Sequence, residues 1–156
     1  MRMGAQQTFE GTLHWSGGAR EDERGHLRLS RDFVIRFKDK TPIAGSALAI
    51  HRGDESRHNP ETLMIASLMS CHHLSYLATC ERANVRVLEY TDNATGTLAM
   101  RDGKMRMVEV VLWPQVRVAD PAQVEQARQL HGQAHANCFM SNSVNFEVKV
   151  QPTVTA

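Results

Sequence analysis

The sequence predicts an α+β fold. Short runs of alternating apolar and polar residues flank one long apolar helical stretch. A second, shorter helical pattern follows later, and a final alternating run closes the chain. The order is therefore strands, a long helix, strands, a helix and a last strand.

Each element has its own signal. Thr8–Trp15 alternates and reads as a strand that ends at Gly17-Gly18. Arg20, Glu21, Asp22, Glu23 and Arg24 then form a charged loop. Leu27, Leu29, Phe33, Ile35 and Phe37 place a second strand over 27–37, with a break near Arg31, and Ile43–Ile50 is a weaker strand-like run. Asn59-Pro60-Glu61 opens a helix: Asn59 caps it, Pro60 suits the first helical position, and Glu61 complements the positive end of the dipole. That helix runs to about Ala83 with apolar residues on most sides, which predicts a central position. Val85–Tyr90 is a strand. Ala94–Arg101 and Lys104–Trp113 flank Asp102-Gly103, a strong two-residue hairpin signal. Pro114 and Asp120-Pro121 punctuate the following segment, and Asp120 caps a helix that places Val124, Ala127, Leu130, Ala134 and Cys138 at helical spacing. Val144–Val150 closes the chain as a strand. No repeat or linker interrupts residues 1–156, so one domain is expected.

Composition excludes several functional classes. The net charge of +1, with acids and bases interspersed, supplies no basic field for nucleic acid and no polybasic membrane patch. Met1 to Thr8 shows no signal-peptide pattern. Leu63–Cys80 carries His72, His73 and several Ser and Thr residues, and reads as a buried helix rather than a membrane span. Three cysteines do not make a disulfide framework, which favours the reducing cytoplasm.

Sulfur is the obvious reactive element. Cys71 lies in Ser70-Cys71-His72-His73, halfway along the long helix, and Cys138 lies in Ala136-Asn137-Cys138-Phe139, at the end of the shorter one. If the two meet they form a reversible dithiol. If they do not, they are small buried hydrophobes, the commoner fate of a cysteine on an apolar helix. His72 adjoins Cys71 in sequence, but neighbouring helical residues point different ways, so a group that activates the thiol must come from elsewhere. Cys80 stands nine residues on, about 13.5 Å along the helix and on its opposite side, beyond disulfide reach of Cys71. It is assigned to packing, which leaves Cys138 as the intrachain candidate. His131 and His135 share a helix face with Cys138. With Cys71 and His72 they raise the question of a Cys/His metal site, but the spacing does not match a zinc knuckle, and neither metal nor cofactor is expected.

Asn59-Pro60-Glu61-Thr62-Leu63 with Ser70-Cys71-His72, the stretch Tyr90–Gly96, and Leu130–Val144 around Cys138 together resemble the OsmC/Ohr family of thiol-dependent hydroperoxide reductases. The resemblance covers most of 31–150. It implies an OsmC-like fold, with antiparallel sheets wrapped around long central helices in an intertwined homodimer. It also implies a peroxidatic cysteine matched by Cys71, a resolving cysteine matched by Cys138, a glutamate matched by Glu61, and an arginine. Ser30-Arg31-Asp32 resembles the arginine motif of one subgroup and Gly17-Gly18-Ala19-Arg20 that of another; Arg31 is favoured. Phe139 and Thr62 depart from the pattern of the organic-hydroperoxide subgroup, which places the chain nearer the broader OsmC-like branch. His72, His131 and His135 are possible supporting residues. The implied substrate is a small hydroperoxide, and the implied reductant is a dithiol of lipoyl or thioredoxin type. The alternative is a non-catalytic ligand- or metal-binding stress protein of the same fold.

Overall fold

The computed structural model describes residues 6–156; the first five residues of the stretch read above for a signal peptide lie outside them. The chain forms two compact units, Met1–Thr62 and Leu63–Ala156.

In the first unit β1 (Gly11–His14) pairs antiparallel with β4 (Phe33–Phe37), which pairs antiparallel with β5 (Ile43–Gly45). Between them β2 (Ala19–Glu21) and β3 (Leu27–Leu29) form a separate hairpin. The charged loop of the sequence reading is therefore shorter than expected. Arg20 and Glu21 belong to a strand, opposite Arg28 and Leu27. The turn is confined to 22–26, where the Asp22 carboxylate accepts the Arg24 and His26 N–H groups and Gly25 takes φ 73°. The expected break near Arg31 is present, between β3 and β4. The strand expected over 43–50 stops at Gly45. Buried Ser46 draws the backbone away: its hydroxyl donates to Asp32 (2.8 Å) and accepts from the Asp54 N–H (3.0 Å). A short 3₁₀ turn then occupies Ala49–His51.

α1 (Pro60–Arg82) begins as its sequence predicts, with Asn59 Oδ1 accepting the Thr62 N–H at 2.8 Å. One stripe is buried, at Leu68, His72, Tyr76, Thr79 and Cys80. Met64 and Leu74, on other sides, remain exposed in the single chain.

The second unit holds β6 (Val87–Asp92), β7 (Thr95–Arg101), β8 (Lys104–Leu112), β9 (Pro114–Val118), α2 (Val124–Ala136), β10 (Glu147–Val150) and β11 (Thr153–Thr155). Its two three-stranded sheets run β10-β8-β7 and β11-β9-β6. Only residue 113 separates β8 from β9, so the two sheets are successive halves of long strands bent along one line. The bend is held where the Trp113 N–H donates to Asp92 (2.8 Å) and the Gln151 N–H donates to Leu112 (2.9 Å). β9 and β11 went unpredicted because Pro114 read as punctuation and the closing strand was ended at Val150, before Pro152. Here they mark bends, and Pro114, Val116 and Val118 still alternate inward against Gln115 and Arg117. Both of these sheets are mixed rather than antiparallel. α2 carries the chain back so that β10 runs parallel to β8 and β11 parallel to β9. The Asp102-Gly103 turn is as predicted, with φ 49° and 72°. The 120–121 cap opens a 3₁₀ turn before α2, with the Asp120 carboxylate accepting the Ala122 N–H at 2.9 Å. Two apolar clusters hold the unit. Ile65, Leu68 and Met69 of α1 pack on the β8 region. Tyr76 and Cys80 pack on β9, β11 and Ala127, Leu130 and Ala134 of α2. No helix among the described residues is long and apolar enough to cross a membrane.

Candidate active site

Cys71 and Cys138 meet. Cys71 stands in mid-α1, half-buried; Cys138 is fully buried two residues beyond the end of α2, and both are free thiols. The two sulfurs are neighbours beneath one short stretch of chain. The segment after Cys138 curls over the pair: the Met140 N–H donates to Cys71 Sγ and the Ser141 N–H to Cys138 Sγ, each at 3.4 Å. Phe139 and Met140 lie exposed above them.

Burial, and then the Cys138 thiol, push the Cys71 thiol above its ordinary pKa; the Met140 and Phe139 N–H groups act in the opposite direction. Two backbone donors fit a thiolate, but they do not outweigh desolvation here. Cys80 lies in the core beside Tyr76, its thiol also raised by burial, in keeping with its assignment to packing.

The three singled-out histidines come together, and two of them, His72 and His131, are no source of positive charge. His72 turns away from Cys71 into the core, and its Nε2 shares a hydrogen bond with His131 Nδ1 at 3.0 Å. Tyr76 stacks on His131, centroids 3.8 Å apart and planes 12° from parallel, while His135 lies tilted 6.4 Å from His72. Burial lowers His72 to about 4, helped by His135 and His73, and lowers His131 to about 3, helped by His72. Both are neutral near pH 7. Among the described residues no three His, Cys, Asp or Glu side chains are grouped to hold a metal ion.

Glu61 lies in the first turn of α1, where its Oε2 is buried without a hydrogen-bond partner. Arg31 and Arg20 line one pocket of the first unit, of about 430 Å³, together with Arg28, Arg52, Asp32 and Asp54. Arg28 is tied to Asp22, and Arg57 bridges Asp54 (3.1 Å) and Asp32 (3.7 Å). Arg28 and Arg52 escaped the sequence reading. The alternation that places Arg28 opposite Arg20 was available as a signal; the left-handed backbone of Arg52, φ 64°, was not.

A family model described as OsmC-like protein matches residues 53–153, well over half of the chain. Among solved structures, an OsmC-like protein of unknown function from Vibrio cholerae is 28% identical, with a TM-score of 0.81 over 95% of this chain and 100% of that one. An organic hydroperoxide resistance protein from Elizabethkingia anophelis is similar over 98% of this chain and 99% of that one, at 19% identity and a TM-score of 0.71. The organic hydroperoxide resistance protein of Bacillus subtilis is similar over 93% and 98%, at 20% identity and a TM-score of 0.64. No curated protein matches the chain.

Proposed function

Because the chain belongs to the OsmC-like protein family, we propose that it is a cysteine-based reductase of organic hydroperoxides that works in the cytoplasm as a single-domain homodimer. The observation that carries this reading is that adjacent backbone N–H groups, of Met140 and Ser141, donate to two free thiols, one half-exposed and one buried. Solved relatives that are organic hydroperoxide resistance proteins supply the substrate class.

In this reading the Cys71 thiolate attacks the distal oxygen of a hydroperoxide. The O–O bond breaks, Cys71 becomes a sulfenic acid, and the departing alkoxide takes up a proton to leave as an alcohol. Cys138 then condenses with the sulfenic acid; the S–S bond forms and water leaves. A dithiol of lipoyl or thioredoxin type reduces the disulfide by exchange and is itself oxidised. The Met140 N–H donates to Cys71 Sγ and the Ser141 N–H to Cys138 Sγ, which supports negative charge on those sulfurs. The raised Cys71 thiol still requires a cation. Arg31 fills that role, with Arg20 the alternative, and Glu61 steadies the guanidinium as a bidentate partner. The unpartnered buried oxygen of Glu61 supports this assignment. Exposed Met64, Leu74, Phe139 and Met140 support a partner subunit. His72, His131 and His135 act only as packing support for the helix that carries Cys71.

The raised Cys71 thiol favours a second reading, a non-catalytic binding protein of the same fold. One experiment separates the two. The protein is treated with one equivalent of cumene hydroperoxide and its disulfides are mapped by mass spectrometry. Turnover is then followed with dihydrolipoamide and with thioredoxin. The reductase reading requires a Cys71–Cys138 link and sustained peroxide consumption with one of these reductants. A Cys71–Cys80 link, or no link, overturns it.

A further inference from the structure

The β2–β3 hairpin places two arginines directly opposite each other. Arg20 pairs with Arg28 in the register, so both side chains stand on one face. Like charges in such a pair oppose the hairpin rather than support it. Arg52 joins them from left-handed backbone, φ 64°, a conformation that disfavours arginine. All three line the pocket of about 430 Å³ in the first unit. Positive charge is gathered here against two local preferences, which is the pattern of a binding site rather than of a solvated face.

The pocket keeps that charge. Its two carboxylates, Asp32 and Asp54, are both answered by Arg57, at 3.7 and 3.1 Å. Arg28 gives its Nη2 to Asp22 and keeps its other donors. With Arg31, four arginines line the pocket against two answered aspartates. None of the lining residues belongs to α1, the helix that meets its mate in the homodimer reading.

Arg31 connects this pocket to the proposed chemistry. In the reductase reading it stands beside the Cys71 thiolate that meets the peroxide, so the pocket must admit substrate and is not filled by protein. The part of the substrate next to its reacting end then faces the other three arginines. A guanidinium fork matches a carboxylate through two parallel hydrogen bonds. We propose that Arg20, Arg28 and Arg52 form an anion subsite that selects small hydroperoxides carrying a carboxylate. One pocket shared by all four arginines sets the carboxylate a single aromatic ring away from the peroxide, not at the end of a long chain. The proposal rests on the reductase reading and adds the charge of the substrate to it. Arg28 and Arg52 set specificity and take no part in the thiol chemistry.

The test compares two peroxides that differ only in charge, 4-(2-hydroperoxypropan-2-yl)benzoate and its methyl ester, with the full chain and dihydrolipoamide. The carboxylate is expected to be favoured by about tenfold in kcat/KM, mainly through KM, and the preference is expected to shrink at high salt. Arg52→Gly keeps the left-handed backbone without strain and is expected to cut the preference to about threefold or less, as is Arg28→Gln. A second readout needs no turnover. 4-Isopropylbenzoate, which carries no peroxide, is expected to give saturable backbone amide NMR shifts at Arg20, Arg28, Arg52 and Gly53, and 4-isopropylbenzamide none. Equal kcat/KM for acid and ester, or an unchanged preference in both variants, overturns the subsite and leaves the reductase reading standing. Saturable shifts without turnover of either peroxide overturn the reductase reading and support the pocket. Inorganic phosphate that inhibits turnover of the acid but not of the ester supports the subsite. Phosphate that binds while acid and ester turn over equally assigns the pocket to a free anion and overturns it. The absence of saturable shifts also overturns it, since carboxylates of the second subunit would then answer the arginines.

Discussion

Cys71 and Cys138 lie beneath the same stretch of backbone, yet their surroundings differ. Cys71 is half-exposed and can receive a peroxide; Cys138 is fully buried and can reach only what Cys71 has become. The proposed chemistry therefore predicts asymmetric mutants. Cys71→Ser abolishes peroxide turnover. Cys138→Ser still forms one sulfenic acid per chain, trapped by dimedone and counted by mass spectrometry, and then stops. Equal residual turnover in both mutants would overturn the assignment. The histidine pair predicts a pH dependence of stability. Its pKa values of about 4 for His72 and about 3 for His131 lie below the value of about 6.5 for an unfolded histidine, so between these limits the unfolded chain binds more protons. Their contribution to stability is intact above about pH 6.5. It falls as the pH drops towards 4 and 3, with a limiting slope of about 1.4 kcal/mol per pH unit for each histidine. Urea unfolding between pH 7 and 4, with NMR titration of the two rings, measures this. Ring signals that titrate near pH 6.5 would contradict the buried neutral pair.

Among the elements, the β7–β8 hairpin offers a clean measurement. Asp102 and Gly103 both take positive φ, and a Cβ added at Gly103 would meet no atom within 4 Å. The cost of Gly103→Val is therefore almost purely backbone strain, about 1–2 kcal/mol by chemical denaturation, with peroxide turnover unchanged. A neutral effect would mean that the turn relaxes to another type. This hairpin, α1 and α2 were legible because each is fixed by short-range chemistry: a turn dipeptide, an asparagine cap, an aspartate before proline. The bent sheets were not. Pro114 and Pro152 signal interruption equally well whether a strand ends or bends, and only pairing with distant strands decides which. The site divides in the same way. Cys71 and Cys138 stand out as candidates by residue type, and Glu61 only through its resemblance to the family motif. The Met140 and Ser141 N–H groups that reach the sulfurs are main-chain donors with no side-chain signature, and the mutual neutrality of His72 and His131 follows from burial between two helices.

For the whole molecule, the proposed roles of Glu61 and Cys71 make a demand on assembly. The two residues are ten positions apart on α1, about 15 Å of helical rise. A glutamate that steadies an arginine beside the Cys71 sulfur must act within a few ångströms of it, which one helix does not provide unless the arginine spans most of the gap. An antiparallel two-fold pairing of α1 with its mate brings the Glu61 end of one helix towards the middle of the other. The exposed Met64 and Leu74 supply apolar surface for such a pairing. The expectation is a shared site, with the thiols from one subunit and Glu61, with Arg31, from the other. Cys71→Ser and Glu61→Ala proteins, each nearly inactive alone, should then regain activity when mixed under conditions of subunit exchange. In the heterodimer one of the two sites keeps an intact Cys71 and an intact Glu61, so specific activity per heterodimer should approach about half that of the unmodified protein. Native mass spectrometry measures the heterodimer fraction and a peroxide-consumption assay measures the recovery. Proven heterodimer without recovery would place Glu61 and Cys71 in a site built within one chain, with the arginine side chain spanning the rise of the helix.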